Sequence, residues 1–111
     1  MTTPLTIDYL NDPGHGWYVL TPEHAAVLEL TIDDFTTYSY HRDGTIYAEE
    51  DCDAAVVIAE HLKQFGVRPV ITDVYTDEPA ECRHYDSCTR QDNDRYLAAH
   101  AYLRDNEGAA A

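Results

Sequence analysis

The chain alternates between two hydrophobic periods. Residues 5–10 set Leu5, Ile7 and Tyr9 against Thr6, Asp8 and Leu10, the period-two pattern of a half-buried strand. Asn11-Asp12-Pro13-Gly14-His15-Gly16 interrupts it, and Pro13 and Gly14 at the central positions of Asp12–His15 suit a type II turn. Trp17 to Leu20 returns as a second strand. Thr21-Pro22-Glu23 then combines an N-cap, a proline at the first helical position and an acid in the first turn, which predicts a short helix ending near Leu30.

Residues 35–66 form the central unit. Asp43-Gly44 lies between two runs rich in Thr, Tyr and Ile, and a type I′ turn needs positive φ at both central positions. A two-residue loop sets Tyr40 opposite Tyr47 and Tyr38 opposite Glu49, with Ser39 opposite Ala48 and His41 opposite Ile46. The acidic corner Glu49-Glu50-Asp51-Cys52-Asp53 leads into a helix over 53–65, capped by Asp51 or Asp53 and closed by Gly66 in a left-handed conformation. Ala55, Ile58, Leu62 and Phe65 make its core stripe, with Ala54, Val57 and His61 beside it. Residues 68–75 read as a strand, with Pro69 suggesting an edge position or a strand start.

Residues 76–91 have no period and read as a long loop. A last helix over 93–105 puts Tyr96, Ala99, His100 and Leu103 on one face, and 106–111 form a frayed tail. The order ββαββαβα predicts one α+β domain over residues 1–105. Its sheet is antiparallel, of four to five strands, with helices mainly on one face.

Charge changes this picture more than composition does. Asp and Glu total 21 against 7 Lys and Arg, a formal net charge of −14. Direct binding to nucleic acid or anionic membranes is disfavoured, because both draw affinity from basic groups. Three readings remain open: a solvated or halophile-type acidic surface, an acidic face that docks on a basic nucleic-acid-binding protein, and a cation site. No run is long and apolar enough for a membrane span, and the first residues lack the basic and apolar regions of a secretory signal. The three cysteines suggest a reduced, intracellular protein without a disulfide framework.

Few residues carry candidate chemistry. His15 is accessible between glycines but has no adjacent group to orient it as a base. Cys52 lies at a helix start, where a thiol is acidified, yet Glu50, Asp51 and Asp53 oppose that. His15, Trp17 and Cys52 are an alternative site on these grounds. Cys82, His84 and Cys88 are weak metal candidates, since their spacing is irregular and a second ligand pair is missing. No catalytic or cofactor motif is present, so neither an enzyme nor a cofactor is expected. Tyr38, Tyr40 and Tyr47 on one hairpin face, beside Glu49, Glu50, Asp51 and Asp53, form either a contact surface or the sheet face beneath a helix.

Asp12-Pro13-Gly14-His15-Gly16-Trp17, Tyr38-Ser39-Tyr40 and Glu49-Glu50-Asp51-Cys52-Asp53-Ala54 together resemble a group of small uncharacterised proteins encoded by phages and other mobile elements. The likeness covers roughly residues 7–75 and, weakly, Tyr85-Asp86-Ser87. It implies a compact domain working in the host cytoplasm, and it transfers no catalytic residue. The expected role is that of an accessory protein acting by binding a basic host protein, with the acidic face standing in for phosphates. A small enzyme or metal-binding domain using His15, Cys52 and the Cys82–Cys88 loop is the alternative.

Overall fold

The computed structural model describes residues 3–110, with side chains of the last helix only as far as Asn106. Six strands form one sheet in the order β5-β1-β2-β4-β3-β6: β1 is Thr6–Asn11, β2 Gly16–Leu20, β3 Tyr40–Arg42, β4 Thr45–Glu49, β5 Val70–Tyr75 and β6 Asp86–Ser87. The helices are α1 (Pro22–Leu28), α2 (Ala54–Phe65) and α3 (Asp94–Ala110). Among the described residues no helix is long and apolar enough to cross a membrane.

The α+β class agrees with the sequence, but the sheet is mixed and larger than expected. α2 carries the chain from β4 back across one face, so β5 enters running parallel to β1 and pairs with it at the edge. The edge position that Pro69 suggested is the observed one, and every residue of β5 is exposed. The sixth strand lies in the stretch read as loop. It is two polar residues long, below what periodicity can register, and pairs with β3 through Tyr40–Ser87 and His41–Asp86.

The central hairpin closes on Asp43 and Gly44, with φ of 52° and 84°, as a type I′ turn requires. Tyr40 pairs with Tyr47 and His41 with Ile46, in the expected register. The ladder stops there, and Tyr38–Glu49 and Ser39–Ala48 are not part of it. Instead Asp53 pulls the preceding segment into a turn. Its Oδ2 accepts from Thr36 N–H at 2.9 Å, Thr36 Oγ1 at 2.8 Å and Ser39 Oγ at 2.5 Å, while Ser39 Oγ accepts from Glu49 N–H. Neither Asp51 nor Asp53 therefore caps α2 by the expected side-chain bond. Glu49 serves that end, its Oε1 accepting from the N–H groups of Asp51 and Cys52 at 2.9 and 3.0 Å.

The β1–β2 turn also differs from expectation. Positive φ among glycines belongs to Gly44 and Gly66, so Gly14 does not form a type II turn. The Asp12 side chain organises the turn, accepting from Gly14 and His15 N–H at 2.9 Å each. Gly16 has a packing role: a Cβ there would fall 2.2 Å from the Tyr9 hydroxyl oxygen, because the Tyr9 ring crosses over it.

The main core joins Ile7, Leu20, Ile46 and Ala48 of the sheet to Leu28, Val56, Val57, Ala59 and Ala99 of the helices. α1 begins on the Thr21 cap and Pro22 as expected, and stops at Leu28 because Glu29 turns left-handed at φ 56°. α2 is buried nearly all round, including Val56 and Ala59 outside the expected stripe, because α1 and α3 pack on it as well as the sheet. Its C-terminus ends on Gly66 at φ 76° as expected. On α3, Tyr96, Ala99 and Leu103 face the core with Tyr102, whereas His100 is exposed. The helix continues to Ala110, beyond the end expected near 105. The tail expected over 106–111 falls largely among residues whose side chains, or in the case of 111 whose placement, lie outside the described set.

The opposite sheet face carries a second, smaller core. Trp17, Ala80 and Cys82 are its buried members, flanked by Leu10, Tyr40, Tyr47 and Tyr85. The segment through the 3₁₀ turn Glu81–His84 covers this face and is tied down by a bidentate ion pair. Arg83 donates to both oxygens of Asp12, at 2.7 and 2.8 Å, and Ala80 N–H donates to Asp12 Oδ2 at 2.8 Å.

Candidate functional site

Strand register assembles the site. Trp17 pairs with Glu49 across β2 and β4, and Glu50 N–H donates to Gly16 C=O at 3.0 Å. The β1–β2 turn is thereby clamped against the acidic corner. His15, Glu49, Glu50 and Asp51 each bring a ligand-capable atom within 4.8 Å of the others. His15, alone in sequence, thus gains three carboxylate neighbours. Two hairpins predicted independently do not reveal their mutual register, and that register is what joins the two segments.

Beside this cluster lies an open cavity of about 410 Å³. It is lined by Trp17, Thr37, Tyr38, Tyr40, Cys52 and Tyr96 together with His15, Glu49, Asp51 and Arg83. Tyr38, Tyr40, Glu49 and Asp51 of the expected contact set and the whole alternative set, His15, Trp17 and Cys52, therefore line one pocket. Tyr38 is 58% exposed and Trp17 only 2%, so the first forms rim and the second floor. Trp17 Nε1–H is buried without a partner among the described residues.

Three members of the expected contact set, Glu50, Asp53 and Tyr47, do not line the pocket. Asp53 is fully buried, its carboxylate committed to Thr36 and Ser39, so a partner cannot reach it in this conformation. Tyr47 sits in the second core, with its ring 5.4 Å from that of Tyr85. The face carrying Tyr40 and Tyr47 is covered by the 76–85 segment and not by a helix. Glu49 is nearly buried, Glu50 half-buried and Asp51 exposed.

Electrostatics separate these groups. The Arg83 guanidinium holds Asp12 well below the usual carboxylate range, and Arg83 also stacks over the Trp17 ring at 5.1 Å. The only cation in the pocket lining is therefore already neutralised. Burial pushes Glu49 up, with Asp51 and Glu50 adding to the shift against its two backbone hydrogen bonds. The Tyr9 hydroxyl donates to Glu50 Oε2 and orients that side chain. Among the described residues, the recorded ion pairs engage Asp12, Asp34, Asp43, Glu60, Asp92 and Asp105, none of which belongs to the corner.

The cysteines take unreactive places. Burial raises the Cys52 thiol, with Glu49, Asp53 and Asp51 adding to it, so the nucleophilic thiolate is disfavoured. Cys82 and Cys88 are both pushed up to about 12 by burial. They lie in different cores, Cys82 with Trp17 and Cys88 with the helix-side residues, and do not meet His84 in a ligand set among the described residues.

No protein-family model matches the chain, and no curated protein or solved structure is significantly similar to it.

Proposed function

We propose that this domain acts by binding a basic protein partner, seating a lysine or arginine side chain in the pocket between His15 and Tyr96. The observation that carries the reading is the pocket's mixed lining. Trp17, Tyr38, Tyr40 and Tyr96 offer aromatic surface, and Glu49 and Asp51 line the same pocket with no recorded lysine or arginine ion pair among the described residues. Aromatic faces and carboxylates both attract a cation, and each gains strength where water is partly excluded. A host protein that handles nucleic acid, a defence protein included, fits this role because its surface is built to neutralise phosphates. The net charge of −14 would speed encounter and make binding weaken as salt rises. The role is that of an accessory protein of phage or mobile-element type.

The test is titration with a short Lys/Arg-rich peptide at low and physiological salt. Binding should be saturable and salt-sensitive. Tyr38→Ala and the pair Glu49→Gln with Glu50→Gln should each weaken it at least ~10-fold, about 1.4 kcal/mol. Affinity unchanged in both variants would leave the acidity as a solvated surface only.

A further inference from the structure

We propose that His15, Glu49, Glu50 and Asp51 form a binding site for one divalent first-row transition cation. The proposal does not rest on the partner reading. Four ligand-capable atoms from two chain segments already lie within 4.8 Å of one another. Ligands at about 2.0–2.2 Å from a metal stand at most about 4.4 Å apart, so small side-chain adjustments complete the shell. Both segments are fixed before any ion arrives. Asp12 holds His15 by accepting its N–H at 2.9 Å, and Glu50 N–H ties the corner to Gly16 C=O.

A second observation points to a ligand. Glu49 is 9% exposed, and its Oε1 is satisfied by two backbone N–H groups. Its Oε2 accepts no hydrogen bond among the described residues, although the side chain lines the cavity. Oε2 therefore keeps its lone pairs free at the cavity, and a carboxylate on a side chain this nearly buried is stabilised by a cation there. Glu50 is oriented by Tyr9 in the way that hydrogen-bonded outer groups orient metal-bound carboxylates.

The donor set narrows the ion. Carboxylates alone suit Mg²⁺, Ca²⁺ and Mn²⁺, whereas an imidazole favours zinc, iron and their neighbours. One imidazole with three carboxylates joins the two preferences, so Mn²⁺ and Zn²⁺ are the probes.

The experiment uses the full chain, freed of metal by chelator and titrated by calorimetry with MnCl₂ and ZnCl₂, with Mn²⁺ also followed by electron paramagnetic resonance. The expected result is one ion per chain and a melting temperature that rises with metal concentration. His15→Ala should weaken binding at least 10-fold, about 1.4 kcal/mol, and Glu49→Gln, which keeps the Oε1 acceptor, should do likewise. Tyr38→Ala, outside the ligand group, should leave metal affinity nearly unchanged while weakening basic-peptide binding, so failure of the metal site and failure of the partner reading give different patterns. Absence of saturable binding overturns the proposal. So does binding that survives both substitutions, or Ca²⁺ binding as tight as Mn²⁺ and indifferent to His15→Ala.

Discussion

Asp53 and the neighbouring corner Glu49–Asp51 are adjacent in sequence and opposite in physical state. Asp53 is fully buried and collects three donors on Oδ2, while its Oδ1 is buried without a partner among the described residues. Asp12, similarly placed in the other turn, is matched by Arg83 and three backbone N–H groups. Glu49, Glu50 and Asp51 receive two backbone bonds and one tyrosine hydroxyl, and they crowd around His15 with no recorded lysine or arginine ion pair among the described residues. The comparison teaches where this acidic molecule uses its acids. Those matched by donors hold turns in place, and those left unmatched face a cavity.

The sharpest way to break the contrast is Asp53→Ala. It strands Thr36 N–H and two hydroxyls in a buried place and removes the brace that starts β3 at Tyr40. Losing one partner of a buried charged network costs about 3–5 kcal/mol. Urea unfolding should show a loss of at least ~3 kcal/mol, a large share of the stability of a domain this size. A loss under ~1 kcal/mol would place Asp53 with the unmatched acids.

His61 extends the matched class to a second chemistry. It is fully buried on α2, where its Nε2 accepts from Leu5 N–H at 3.0 Å and its Nδ1 lies 2.7 Å from Val67 C=O as donor. That arrangement needs the neutral ring, and burial lowers its pKa against the smaller opposing effect of the Val67 bond. The folded pKa is below the unfolded value of about 6.5, so the stabilisation is present above that pH and is lost as pH falls through the folded pKa. His61→Phe should keep the stacking on Phe65, whose ring centroid is 4.2 Å away, but lose both hydrogen bonds. We expect a loss of about 2 kcal/mol at neutral pH and a flatter decline below pH ~6.5, read from unfolding at several pH values. A variant whose acid decline matches the wild type would remove His61 from the account.

The matched class was only partly legible in the sequence. Asp43-Gly44, Thr21-Pro22 and Gly66 announced themselves because local φ and capping rules act within a few residues. Asp53 reads as a cap from its position before α2, and only the tertiary turn at Thr36–Ser39 reveals its actual partners. Asp12 looks like an ordinary turn residue until Arg83, 71 positions away, arrives across the sheet face. The parallel pairing of β5 with β1 was hidden for the same reason: crossover direction is set by α2, and no local pattern records it. Of the site, the acidic corner and its tyrosine neighbours could be named individually, whereas their meeting with His15 depends on the Trp17–Glu49 register.

The unmatched corner should respond least to substitution, and differently to salt. Replacing Glu49 and Glu50 by Gln keeps an acceptor for the Asp51 and Cys52 N–H groups and for the Tyr9 hydroxyl. It removes two negative charges from the start of α2, which forfeits about 0.3–1 kcal/mol each of dipole attraction at low ionic strength. It also relieves the repulsion among Glu49, Glu50 and Asp51 and the burial penalty on Glu49, effects of opposite sign. In metal-free protein the net change should stay within ~0.5 kcal/mol, the range of substitutions outside matched networks. Because screening acts over about 8 Å at physiological salt, added salt should stabilise the wild type more than the double variant, whose corner has less repulsion to relieve. Thermal melts of both proteins from low to high salt read this directly. A loss of several kcal/mol in the double variant, or equal salt responses, would show that the corner is held by bonds as firm as those of Asp53.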